Sequence, residues 1–168
     1  MSDALESIGE PRVGEIKAPG TVEGGDVILA GTVAFVGRTI RTNEEGVKQI
    51  SSLLSPMGYE ARILYLPDSI LHLDKVLMAA GPTRMLSCAG YMPNESLRGF
   101  EVIEVPCEGR SSANIICLGN NHVVVDRANR EVITRLERSG LLVHAIDLSE
   151  FAKGTGGPNC LIMPVERN

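Results

Sequence analysis

A cysteine closes a glycine-rich stretch near the end of the chain, Gly154-Thr155-Gly156-Gly157-Pro158-Asn159-Cys160. A thiol attacks carbon as its thiolate, and it needs backbone that lets the reacting atom come close. Glycines allow that approach. Taken alone, the stretch weighs toward a tight turn with an incidental thiol. A second group is Leu71-His72-Leu73-Asp74. In extended backbone His72 and Asp74 point to one face and the two leucines to the other. A general acid/base and a carboxylate would then share a surface. The third group is Val22-Glu23-Gly24-Gly25-Asp26. Two glycines between acids suit a place where a carboxylate must be aimed, although an acidic turn before a strand is the plainer reading. A thiol, an imidazole and carboxylates together suit covalent attack on an electron-poor carbon, with the histidine moving the proton.

Composition narrows the alternatives. The chain has 168 residues, 43% of them hydrophobic, which is enough for one domain with a real core. The formal net charge of -5 argues against a nucleic-acid surface and mildly favours cationic small molecules. No apolar run approaches a membrane span, and no secretory signal opens the sequence. The expected location is the cytoplasm, with reduced thiols. Cys88, Cys107 and Cys117 read as core or inert thiols. None of the four cysteines forms a C-x-x-C pair and the three histidines are scattered, so no metal site is expected.

The elements that must position these residues repeat. Residues 26–37 (DVILAGTVAFVG) read as two strands around a Gly-Thr turn. Residues 42–57 read as a helix with Thr42 and Glu45 as a capping box, and residues 61–66 as a strand. The order returns at residues 114–126, a strand, a Gly-Asn turn and a strand, followed by a helix over 129–139 and a strand over 142–146. A weaker copy lies between them: strands over 74–79 and 85–88, a helical turn over 94–98 and a strand over 100–105. The α/β chain thus carries three ββαβ units, about 26–66, 74–105 and 114–146, at repeat-architecture spacing. Such units bury their faces against neighbours, in a line or around an axis. An ordinary α+β sheet would show the same pattern. Residues 3–8 and 12–16 resemble the end of a helix and the following strand, the back half of a further unit. A helical turn over 149–152 and a strand over 161–165 end the pattern.

Glu23-Gly24-Gly25-Asp26, Arg41-Thr42-Asn43, His72-x-Asp74 and Gly156-Gly157-x-x-Cys160 occur in the order seen in the guanidine-modifying, or pentein, superfamily. The resemblance runs from about residue 3 to residue 165. It implies a pentein-type α/β propeller of ββαβ units, here an incomplete ring within a single domain. It also implies Cys160 as nucleophile, His72 as acid/base and Glu23 as the carboxylate supporting it. Asp74 would grip the guanidinium, as in arginine deiminases and amidinotransferases. Arg41 would meet the substrate carboxylate, with Arg38 a close competitor. Asp74 departs from many dimethylargininases, whereas the short interval from His72 to Cys160 suits them.

The implied activity is cleavage of an amidine C–N bond in arginine or a methylated arginine, through a covalent Cys160 thiouronium. No metal or organic cofactor is required. An amidinotransferase and a non-catalytic fragment are the alternatives. A homo-oligomer or a complementing N-terminal fragment is the expected protein partner. Glu23, His72, Asp74 and Cys160 are expected to converge. Glu23 and Asp74 should raise the thiol pKa, so that only a bound cation activates it.

Overall fold

The computed structural model describes residues 2–10, 12–106 and 113–165. Its strands form three separate three-stranded sheets, ordered β1-β2-β3, β4-β5-β6 and β7-β8-β9. In the first, β1 (Val27–Ala30) and β2 (Val33–Arg38) are an antiparallel hairpin, and β3 (Glu60–Tyr65) lies parallel to β2. The second repeats this with β4 (Leu77–Gly81), β5 (Arg84–Cys88) and β6 (Glu101–Val105). The third repeats it with β7 (Ile116–Gly119), β8 (His122–Asp126) and β9 (Leu142–Ile146). A parallel partner needs a crossover. Helix α2 (Glu44–Leu54) crosses in the first unit and α3 (Arg130–Arg138) in the third. The second unit makes do with a 3-10 turn, Asn94–Leu97.

The first strands of the sheets hold the molecule together: β4 packs against both β1 and β7. Phe35, Leu73, Leu77, Met85, Leu86 and Ile115 are among the largest fully buried side chains. Phe35 and Phe100 meet edge to face at 5.4 Å, and the Arg62 guanidinium lies 5.9 and 5.7 Å from their ring centres.

Several local expectations change. Helix α2 starts after Asn43, whose Oδ1 accepts from the Gly46 N–H at 2.8 Å. The Thr42 hydroxyl is instead drawn to the buried Asp26 carboxylate at 2.6 Å, so it forms no capping box. Asp74 lies in a 3-10 turn, Leu73–Lys75, and not in β4. Residues 12–16 are unpaired and run along α2, with Lys17 and Gln49 exchanging hydrogen bonds at 2.8 and 3.0 Å. Residues 161–165 do not form a strand; Cys160 falls in the 3-10 turn Asn159–Leu161. A strand exists through its ladder, and neither segment meets a partner edge among the described residues. Helix α1 (Ser2–Ser7) and α4 (Ser149–Ala152) stand close to their expected places.

Cys88 is buried, as expected, but disulfide-bonded; Cys117 and Cys160 are free. An expectation based on compartment does not register which sulfurs a fold brings together. Cys107 lies outside the described residues. No described helix is long and apolar enough to cross a membrane.

Candidate active site

The site is built around the 3-10 turn that ends at the start of β4. Asp26 anchors it. This carboxylate is fully buried and accepts from the hydroxyls of Thr39 (2.8 Å) and Thr42 (2.6 Å) and from the Leu73 N–H (2.9 Å). A buried carboxylate without donors is costly, so three donors fix both its place and theirs. The Leu73 bond ties the turn to the first sheet. Thr42 Oγ1 also accepts from the Glu23 N–H at 3.1 Å, which locates Glu23 on the same frame.

The turn sends His72 and Asp74 to different partners. His72 has extended backbone, and its Nε2 meets Glu23 Oε2 in a close contact. A Cβ on Gly25 would lie 3.0 Å from the His72 ring, so the glycine lets the backbone lie against the imidazole. Arg41 Nη1 stands 3.6 Å from Glu23 Oε1 at the exposed side of this pair.

Asp74 turns toward the cysteine. Its Oδ2 is 3.5 Å from Cys160 Sγ and accepts from Asn159 Nδ2 at 3.1 Å. Its Oδ1 is buried and has no hydrogen-bond partner among the described residues. The structure therefore pairs His72 with Glu23 and Asp74 with Cys160, and brings Arg41 to Glu23. One turn of chain links the two pairs.

Sequence reasoning passed over Asn114. It is fully buried just before β7, its Oδ1 accepts from the Asn159 N–H at 2.8 Å, and its Nδ2 lies 3.4 Å from Cys160 Sγ. The available signal was a polar residue opening an apolar run, Asn114-Ile115-Ile116-Cys117-Leu118. Gly157 is needed here, because a Cβ on it would fall 2.5 Å from Asn114 Oδ1.

Burial is the first cause that pushes the Cys160 thiol above its ordinary pKa; the Asp74 charge is the second. A backbone hydrogen bond from Gly157 and the Asn114 amide oppose this. The charge beside the sulfur is that of Asp74, since Glu23 is engaged by His72 and Arg41. No group of three or more described His, Cys, Asp or Glu side chains is placed to hold a metal ion.

The profile of the arginine deiminase family matches residues 98–167. A dimethylarginine dimethylaminohydrolase of Pseudomonas aeruginosa is 31% identical over 150 residues, covering 89% of this chain and 58% of that protein. A structure of dimethylarginine dimethylaminohydrolase from that bacterium, complexed with citrulline, superposes with a TM-score of 0.80. It is 30% identical and covers 92% of this chain and 62% of that one. The profile, the relative and the structure support a likeness to the guanidine-modifying superfamily. The N-terminal domain of a cyanobacterial arginine dihydrolase shares the fold, with a TM-score of 0.81 at 21% identity over 98% of this chain and 63% of that one. The chain spans about half to three-fifths of the length of curated superfamily relatives that it matches over most of its own length.

Proposed function

We propose that this site belongs to an amidine C–N hydrolase acting on arginine or a methylated arginine, with Cys160 as nucleophile. The observation that carries the reading is Asp74. One of its oxygens stands beside the thiol and the other is buried without a donor among the described residues. A guanidinium supplies N–H donors and positive charge in a planar fork that matches a carboxylate. Satisfying that oxygen recovers roughly 1–3 kcal/mol of desolvation. It also presents the central guanidinium carbon to sulfur. The names of the relatives, dimethylarginine hydrolase and arginine deiminase, point to the same substrate class.

The chemistry follows from the groups present. With the cation bound, the exposed Cys160 thiol loses its proton to solvent, and the thiolate adds to the central carbon to give a tetrahedral adduct. The C–N bond to the leaving amine breaks as His72 protonates that nitrogen, leaving a thiouronium on sulfur. His72, now neutral, takes a proton from water; the hydroxide adds to carbon and the C–S bond breaks, giving the urea product and the thiolate. Glu23 orients the imidazole. Arg41, beside Glu23, would meet the substrate carboxylate.

The three sheets are read as consecutive blades of an α/β propeller, supported by β4 lying between β1 and β7. A cytoplasmic location is part of the same reading. A second copy or a segment with further blades is the partner in this reading.

The test is the purified chain, alone and mixed with an N-terminal segment of a relative, given arginine or dimethylarginine. Ureido product is expected, and none from Cys160→Ser. A cationic haloacetamidine should also label Cys160 much faster than iodoacetamide. Equal labelling by both reagents, with no turnover in either setting, would refute the reading. An added acceptor amine that captures the amidino group would identify a transferase instead.

A further inference from the structure

We propose that Asn114 is a positioning residue for the nucleophile: it holds the Cys160 turn against Asp74 and donates an amide hydrogen bond to the sulfur when the proton has left. The inference rests on reading Cys160 as the nucleophile, but thiol titration can be followed in a chain that turns over nothing.

Three contacts of one fully buried side chain carry it. Asn114 Nδ2 faces the Asp74 carbonyl oxygen at 3.3 Å and Cys160 Sγ at 3.4 Å, while Oδ1 accepts from the Asn159 N–H at 2.8 Å. These partners lie 40 to 46 positions away, on the turn before β4 and on the Cys160 turn. The amide therefore spans the two segments that must meet to form the Asp74–Cys160 pair. A buried amide left without partners is costly, so the fit selects one arrangement of all three segments. Gly157 completes the enclosure by passing against the Asn114 side chain where no Cβ would fit.

The two neighbours of the sulfur have opposite preferences. Cys160 donates its S–H to Asp74 Oδ2 at 3.5 Å, which favours the neutral thiol. The Asn114 N–H can only donate, so its bond strengthens as negative charge develops on sulfur. A cation on Asp74 would take over the carboxylate oxygens and displace the S–H bond. The amide would then remain as the side-chain donor to the thiolate. Asn114 thus makes deprotonation productive without making the resting thiol acidic.

The experiment has two parts. In the wild-type chain, the Asn114 side-chain amide resonances are followed against pH by nuclear magnetic resonance. They are expected to move with the Cys160 titration and to lose that step in Cys160→Ser. In parallel, Cys160 alkylation by iodoacetamide is measured against pH in Asn114→Ala and Asn114→Ser, with circular dichroism as the folding control. Asn114→Ala should label about tenfold more slowly at pH 7, its rate profile moving to higher pH. The serine variant, which keeps a donor, should recover part of the rate. Amide resonances indifferent to the thiol, or an unchanged profile in a folded Asn114→Ala chain, would overturn the proposal. The resonance experiment stands even if neither variant folds.

Discussion

At the scale of residues, Asp74 sets the state of Cys160. Burial and the Asp74 charge both disfavour the thiolate, so the folded protein holds the thiol proton more tightly than water does. Reactivity toward a neutral alkylator should therefore be low at pH 7 and rise as pH climbs through and beyond the ordinary thiol range. Asp74→Asn separates two effects. Losing the charge lowers the thiol pKa, so neutral iodoacetamide should react faster at pH 7. Losing the grip weakens the cation's advantage, so the ratio of haloacetamidine to iodoacetamide rates should fall. Rates measured against pH for both reagents check this. A variant in which both rates drop together would mean that Asp74 acts only by shaping the turn. The sequence pointed to Asp74 and Cys160 through their motifs. The family resemblance implied that Glu23 supports His72, but the expectation that both acids charge the sulfur changes to Asp74, because a local motif does not say which of two acids reaches it.

Elements place these residues through their ends. Asn43 caps α2 and also accepts from the Thr21 N–H at 3.1 Å and donates to the Pro19 carbonyl at 2.7 Å. It thereby ties the segment before Glu23 to the helix. Replacing it by alanine removes the cap, at about 1 kcal/mol, and both ties. Asn43→Ala should lower stability by roughly 1–2 kcal/mol in urea unfolding. Stability unchanged from wild type would show that the cap is replaced by solvent. Strands with matched hairpins were legible, because Gly31-Thr32 and Gly119-Asn120 separate apolar runs. The cap was misread by one residue. Thr42 and Asn43 are both good capping types, and the buried Asp26, distant in sequence, decides between them by taking the Thr42 hydroxyl.

The whole molecule depends on the packing between sheets. Leu77 opens β4, is fully buried, and belongs to the cluster that includes Ile28, Val123 and Val125 from the flanking sheets. Leu77→Ala should cost about 2–5 kcal/mol. If the three sheets share one core, unfolding followed by circular dichroism and by Cys117 accessibility should remain a single transition at a lower midpoint. Two separated transitions would show that the units unfold independently.

From the sequence alone came the repeat of hairpin, crossover and parallel strand, the order of the motifs, and the identity of most candidate residues. Those are local facts, set by hydrophobic period, turn residues and short spacings. Tertiary structure decided the rest. It set residues 73–75 in a 3-10 turn where a strand was expected from residue 74, with the Leu73 N–H donated to the buried Asp26. It left 161–165 unpaired, because a strand requires an edge that the segment does not meet among the described residues. It set Asn114 against Cys160 across 46 positions, where buried polar groups must find partners wherever the fold supplies them.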